Sequence, residues 1–271
     1  MDIVKEQKIK NIEKIIKSVE DQRNGKELRA RDVMIELLAT RDFETVLDVG
    51  CGGIGHMDVF EQCGKKVHKC DMNPRYKPTY VGNFLDIVNE IPDEKYDCIW
   101  CSHTLEHQLN PGIFLSQIKR ILKEDGYFAL TVPPMKHFIV GGHVNHWTTG
   151  MILHNLVSVG FDCSNAFIRA PKPEKFKGYP DGAGSIEPYD VSILIKKKDI
   201  KWTEELVRKM HTDYCESHPG EGGFGDVSVH DGNLYMSGAG LKVIKPFFPD
   251  GIKWVNKGGR DLQFDGRIGS K

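Results

Sequence analysis

A short apolar run, Thr45 to Val49, stops abruptly at a stretch holding four glycines in six residues, from Gly50 to Gly55. Gly50, Gly52 and Gly55 form a G-x-G-x-x-G pattern. Glycines are needed there because the chain must turn sharply, and because a backbone without side chains lets a ligand approach its amides closely. A helix from Met57 to Gln62 is expected to follow. Strand, tight turn and helix in that order are the opening unit of a parallel sheet covered by helices.

The rest of the chain repeats the alternation. Apolar runs at Lys66 to Cys70, Tyr96 to Cys101, Tyr127 to Val132, Phe161 to Arg169 and Val191 to Ile195 read as further strands. One intervening helix starts at Asn110 and Pro111, buries Ile113, Leu115, Ile118, Ile121 and Leu122, and is expected to end at Asp125 and Gly126. Another runs from Thr148 or Thr149 to Gly160. Between the second strand and the next extended stretch, Pro74 and Pro78 leave only a rudimentary helix. Before the first strand, Ile9, Ile12, Ile16 and Val19 mark one amphipathic helix, and Leu28, Val33, Leu37 and Leu38 mark a second. After Lys198 the pattern thins out. Trp202 to Met210 reads as a short helix, Gly220 to Gly225 as a glycine-rich loop, and Val227 to Tyr235 as a hairpin turning on Asp231 and Gly232. The expected organisation is an N-terminal helical segment over 1–44, a central domain over 45–198 and an irregular extension over 199–271.

With 37 lysines and arginines against 38 aspartates and glutamates, the net charge of −1 supplies no field for gathering polyanions, and no nucleic-acid partner is expected. No apolar run is long enough to span a bilayer, and the charged residues near Met1 do not resemble a signal peptide, so a cytoplasmic protein is expected. The seven cysteines show no repeated spacing, which argues against a disulfide framework. Cys98 and Cys101 form a CxxC inside a strand. Residues three apart on a strand point to opposite faces, so these two thiols are not expected to converge on a metal or on each other.

The glycine pattern alone also serves nicotinamide and flavin enzymes, where the turn holds a pyrophosphate. Asp48 distinguishes the cases. It sets a carboxylate two residues before Gly50, the wrong charge for a phosphate and the right one for a ligand bearing an ammonium. A second carboxylate, Asp71, ends the next strand, where it can accept hydrogen bonds from both hydroxyls of a ribose. Asn83 offers an amide for an adenine edge and Phe84 a ring for its face.

With these motifs in order, the segment from Thr45 to Lys198 resembles a class I S-adenosylmethionine-dependent methyltransferase. Asp48, Gly50 and Gly52 match the family's glycine motif, Asp71 its ribose acid, Asn83 its adenine-contact position, and Asp97 the aspartate opening its fourth strand. The stretch from Ser102 to His107, followed by Asn110 and Pro111, resembles the L-E-H segment of the type 11 and type 23 groups. The chain departs from the commonest pattern at Ile54, where glycine is usual, and at Asn83, where aspartate is frequent. The resemblance implies a doubly wound, mostly parallel seven-stranded α/β sheet of Rossmann-like type. It also implies S-adenosylmethionine as cofactor, with Asp48, Gly50, Cys51, Gly52, Asp71, Met72, Asn83, Phe84 and Ser102 as its binding residues.

Ligands of such sheets sit at the carboxyl ends of the strands. There the sequence carries His103, Glu106 and His107 after the fourth strand, and His143 and His146 after the fifth. Three readings stand side by side. A histidine, with His146, His143 and His107 as candidates, takes the proton of an acceptor hydroxyl. Alternatively, His103, Glu106 and His107 hold a divalent metal, as a similar E-x-x-E-H segment does in the quinone O-methyltransferases this stretch resembles; with histidine in place of the first glutamate, no metal is expected. In the third, Glu106 and His107 brace the loop against the sheet. The H-x-x-E-H string also matches an inverted zinc-protease motif, but nothing else in the chain asks for peptidase chemistry.

The acceptor expected is a small molecule or a sugar or glycan-type compound, because the stretch from His143 to Thr149 resembles methyltransferases of cell-surface glycan synthesis. The basic, aromatic stretch from Pro171 to Pro180 reads either as a cover for an acidic acceptor or as a solvated loop. The other functions weighed are an NAD-dependent oxidoreductase on a similar sheet and a non-catalytic cofactor-binding scaffold.

Overall fold

A computed structural model describes residues 3–133, 141–169 and 190–200, together with 227–230, 233–237, 247 and 253–255. The readings at Pro171 to Pro180, Trp202 to Met210, Gly220 to Gly225 and the turn at Asp231 and Gly232 lie outside the described residues.

Helices α1 (Ile3–Gln22) and α2 (Arg31–Thr40) precede the first strand, as the apolar spacing requires. Then come β1 (Thr45–Val49), α3 (His56–Gln62), β2 (Lys66–Asp71), a 3-10 turn at Pro74–Tyr76, β3 (Tyr80–Val81), α4 (Phe84–Ile87) and β4 (Tyr96–Ser102). The chain continues through α5 (Pro111–Ile121), β5 (Leu122–Val132), α6 (Thr149–Ser158), β6 (Phe167–Arg169) and β7 (Val191–Lys196). These seven strands form one sheet in the order β3-β2-β1-β4-β5-β7-β6. All neighbours are parallel through β5, and β7 runs antiparallel to β5 and to β6. A separate three-stranded sheet comprises β8 (Val227–His230), β9 (Asn233–Ser237) and β10 (Lys253–Val255), with β8 and β9 antiparallel as the hairpin reading expects.

Alternation along buried strands divides the apolar side chains between two layers. Leu47, Val49, Ile99 and Cys101 face α5 and α6, where Phe114, Leu115, Ile118, Leu153 and Leu156 meet them. Val46, Cys98 and Trp100 face the opposite layer, built from Ile12, Ile16 and Val19 of α1, Val33, Met34 and Leu37 of α2, and Val59 and Phe60 of α3. Cys98 and Cys101 therefore sit in different cores, as their spacing requires. Each fully buried leucine or valine contributes about 1.5–3 kcal/mol, so both layers are strongly fixed.

Two boundaries differ from the sequence reading. The helix α5 ends at Ile121, not at Asp125 and Gly126, because Leu122 already pairs with Tyr96 of β4. The register then shifts between Tyr96 and Cys98, with Asp125 left-handed (φ 64°). Asp125 and Gly126 thus lie within an irregular strand start. The expected strand from Phe161 to Arg169 is shortened to β6 because Ser164 N–H donates to Asp162 Oδ1 (2.9 Å) and Ala166 N–H to the Cys163 carbonyl (3.0 Å). Those bonds make a turn in place of strand pairing, and Phe161 keeps only a single bridge, to Asp199.

Asp97 serves the sheet. At the end remote from the glycine turn, its Oδ2 accepts from Thr45 N–H (2.8 Å) and Thr45 Oγ1 (2.7 Å), and its Oδ1 accepts from Lys123 Nζ (2.7 Å). Burial alone would raise its pKa, but these hydrogen bonds prevail and hold it at about 2.

Candidate cofactor and acceptor site

The glycine turn is built as its composition requires. Gly50, Gly52 and Gly55 have φ of 77°, 48° and 93°, a left-handed conformation that side-chain-bearing residues rarely adopt. Gly50 and Cys51 both donate their N–H to the Cys70 carbonyl, at 2.8 and 3.2 Å, which draws the end of β1 against β2. Ile54 stands where the commonest pattern has glycine, and it packs against the apolar layer of α1 to α3.

Asp48 is 1% exposed, and neither carboxylate oxygen has a hydrogen-bond partner. Burial, and next the charge of Asp71, holds its carboxyl well above the usual range. An uncompensated buried acid is costly unless it has a function or a ligand. A cationic ligand supplies what Asp48 lacks, so the residues present fit a cofactor with an ammonium group. Asp71 is held more firmly. Its Oδ2 accepts from Gly52 N–H (2.8 Å) and its Oδ1 from Asn73 N–H (2.8 Å), so the carboxylate is fixed in place with a lone pair left on Oδ1. The Cys51 thiol points at the same carboxylate. Burial, then Asp48 and Asp71, pushes it up to about 12, so it is a neutral thiol.

The other expected cofactor residues divide. Met72 is 71% exposed beside Asp71 and is free to lie over a ligand. Asn83 is half-buried at the start of α4, where its side chain makes no capping bond. The Phe84 ring lies in the core, edge-on to Phe114 with centroids 5.0 Å apart, because the first turn of α4 directs it inward. Ser102 is also buried, and its hydroxyl accepts from Thr131 Oγ1 (2.8 Å), which ties β4 to β5.

Three contributors escaped the sequence reading. Thr104 donates to the Val49 carbonyl (3.0 Å) and packs over Gly50, joining the segment after β4 to the glycine turn. Arg23 donates to the Gly53 carbonyl from the loop between α1 and α2. Asp190 stands just before β7; because β7 is antiparallel, its first residue lies at the carboxyl edge of the parallel strands.

The histidines collect around Glu106. Residues Leu105–His107 form a 3-10 turn, and Glu106 is fully buried with both carboxylate oxygens lacking a hydrogen bond. His103, left-handed at φ 54°, turns one nitrogen to Asp190 (Nε2 to Oδ1, 2.8 Å) and the other toward Glu106 (Nδ1 to Oε1, 3.3 Å, outside hydrogen-bond alignment). Burial opposes a charge on this ring, but Asp190 and Glu106 outweigh it and raise its pKa to about 9. The Arg29 guanidinium, 3.3 Å from Nδ1, can only donate and so favours the neutral ring; two carboxylates on a buried imidazole prevail over it.

His107 and His143 meet edge to face, centroids 4.9 Å apart, and their Nε2 atoms lie 3.9 and 4.0 Å from the same Glu106 oxygen. Burial lowers the pKa of His143. The loop carrying it is anchored on the Glu106 carbonyl, which accepts from Val144 N–H (2.9 Å) and Asn145 N–H (3.1 Å). Of the three residues weighed as metal ligands, Glu106 and His107 lie together with His143, one ligand atom of each within 4.8 Å of the others, while His103 is paired with Asp190. His146 lies half-buried on the same loop and, among the described residues, pairs with neither Glu106 nor Asp190.

The chain is 30% identical over 98 residues to a ubiquinone biosynthesis O-methyltransferase of Actinobacillus pleuropneumoniae, a match covering 30% of this chain and 42% of that one. The chain spans less than half the length of the curated relatives it matches. Among solved structures it is similar to a SAM-dependent methyltransferase from Archaeoglobus fulgidus, with a TM-score of 0.49 and 18% identity, covering 66% of this chain and 97% of that one. It is also similar to the 1,6-didemethyltoxoflavin-N1-methyltransferase of Burkholderia thailandensis, with a TM-score of 0.48 and 18% identity, covering 73% and 92%. No helix among the described residues is long and apolar enough to cross a membrane. Residues 22–159, just over half of the chain, match the family described as "Methyltransferase domain", and the chain belongs to the class I S-adenosylmethionine-dependent methyltransferases.

Proposed function

We propose that the protein transfers the methyl group of S-adenosylmethionine to a hydroxyl oxygen of a small molecule of sugar or glycan type, with a histidine of the loop after β5 taking the proton. The observation that carries this reading is the gathering of His103, His107 and His143 around Glu106, with His146 on the loop that carries His143, joined to the glycine turn through Thr104. Methyl transfer is an in-line displacement at carbon with a sulfonium as leaving group, so most of the protein's work is positioning. A base is needed only when the acceptor must lose a proton, as a hydroxyl does.

In this reading Asp48 faces the cofactor's ammonium and Asp71 the ribose. Asp48 also speaks against a nicotinamide cofactor, whose diphosphate would meet a carboxylate at the glycine turn. His146 takes the proton, because the other three imidazoles are turned to carboxylates. The name of the Actinobacillus relative, an O-methyltransferase, favours oxygen over nitrogen as the atom methylated.

The test supplies methyl-labelled S-adenosylmethionine with matched panels of hydroxyl and amine acceptors built on sugars. Label on the hydroxyl panel is expected. Label confined to amines overturns the oxygen reading, and tight binding of NADH with none of S-adenosylhomocysteine overturns the cofactor assignment.

A further inference from the structure

We propose that Glu106, His107 and His143 form a binding site for a borderline divalent cation of zinc type, assembled from two loops. Three features of the geometry support it beyond the proximity of the side chains. First, Glu106 is fully buried and neither of its oxygens makes a hydrogen bond, so its lone pairs are left open toward His107 and His143 even though His103 stands 3.3 Å from Oε1 on the other side. Second, His107 Nδ1 lies 3.1 Å from the Gly142 carbonyl. A carbonyl only accepts, so Nδ1 carries the proton and the lone pair is at Nε2, which faces Glu106. Metal-binding histidines are characteristically fixed in this way through the second ring nitrogen. Third, the two amide bonds from Val144 and Asn145 to the Glu106 carbonyl lock the His143 loop onto the Glu106 turn, so ligands distant in sequence are held together before any ion arrives.

The donor set selects the ion. Two imidazoles and one carboxylate suit zinc or another first-row dication with positions left open, whereas magnesium prefers an all-oxygen octahedron. His103 is excluded from the set because Asp190 holds its Nε2 at 2.8 Å. The site does not depend on the methyl-transfer reading. Only its role does: when bound, such a cation orients an acceptor hydroxyl and makes its proton easier to remove.

The experiment uses the full chain, stripped with a chelator, and titrates Zn2+ against a chromophoric competitor, with Mg2+ as the contrasting ion and Co2+ as a spectroscopic probe. One equivalent of Zn2+ is expected to bind, and Co2+ to show the visible absorption of a site with nitrogen ligands. Glu106→Gln, His107→Ala and His143→Ala should each weaken Zn2+ by at least about tenfold. His143→Ala, a half-buried loop position, keeps the test valid if Glu106→Gln misfolds. Failure to take up Zn2+, uptake that His143→Ala and His107→Ala leave intact, or equal binding of Mg2+ overturns the proposal. S-adenosylhomocysteine binding measured on the same samples reports separately on the methyltransferase reading.

Discussion

A Cβ added at Gly50 would stand 2.1 Å from Thr104 Oγ1, so the threonine occupies the space that the glycine leaves open. The glycine turn and the segment that carries the histidines are thus one packed unit. Gly50→Ala is expected to cost about 1–2 kcal/mol for its left-handed φ and a further ~1–3 kcal/mol for the collision. Thr104→Ala removes the two nearest atoms, leaving its Cβ at 3.0 Å, so it relieves most of the collision and leaves the backbone cost. A double-mutant cycle by urea unfolding should therefore show the pair to be non-additive, the double variant being more stable than the sum of the single losses. Strict additivity would remove the packing argument.

Asp48 and Asp71 separate stability from binding. Asp71→Ala is expected to weaken S-adenosylhomocysteine by about 1–3 kcal/mol, the range for lost charge-assisted hydrogen bonds. Asp48→Asn relieves a buried, unpaired acid, so the cofactor-free protein should unfold at equal or higher urea while its cofactor affinity falls. Because the free Asp48 carboxyl is held well above the usual range and must ionise to pair with an ammonium, binding should release a proton. Calorimetry in buffers of different ionisation enthalpy measures that release, and a binding heat independent of buffer would contradict the pairing.

The parts of this architecture legible in the sequence are those set by local rules. Apolar runs and glycines that demand a left-handed backbone place the sheet and the cofactor turn, and period-two alternation alone separates Cys98 from Cys101. Pairings between distant loops obey no such rule. His103 and Asp190 are 87 positions apart and meet only because β7 enters the sheet antiparallel. His143 reaches Glu106 through backbone bonds from its own loop, which no spacing announces. Phe84, adjacent to Asn83 in sequence, is turned into the core by the helix it begins.

His56 makes stability depend on acid in a way distinct from the carboxylates. Its Nδ1 accepts from Trp100 Nε1 (3.2 Å) and its Nε2–H donates to the Arg29 carbonyl (3.0 Å), so the buried ring is neutral. Burial lowers its pKa to about 4. The folded value lies below the unfolded value of about 6.5, so the contribution is complete above pH 6.5 and is lost as pH falls toward 4. At pH 5 the loss should be about 2 kcal/mol relative to pH 7. His56→Gln, whose amide can still accept from Trp100 and donate to Arg29, should flatten this part of the pH dependence of the urea midpoint. An unchanged slope in that variant would assign the acid sensitivity to other groups.

His146 carries the sharpest kinetic expectation. If it takes the proton of a hydroxyl acceptor, His146→Ala should lower kcat by about 10²–10⁴-fold, the usual contribution of a positioned base, while the Kd for S-adenosylhomocysteine stays unchanged. Added imidazole should restore part of the loss, since a small base can enter the space vacated by the side chain. A positioning role alone predicts a different pattern, with KM rising and no rescue by imidazole. The contrast with His103 is informative, because that ring is held between Asp190 and Glu106 and has no free nitrogen to offer. His103→Asn should therefore act through the geometry of the loop and resist rescue, so the two variants together distinguish the proton acceptor from the residues that hold its surroundings in place.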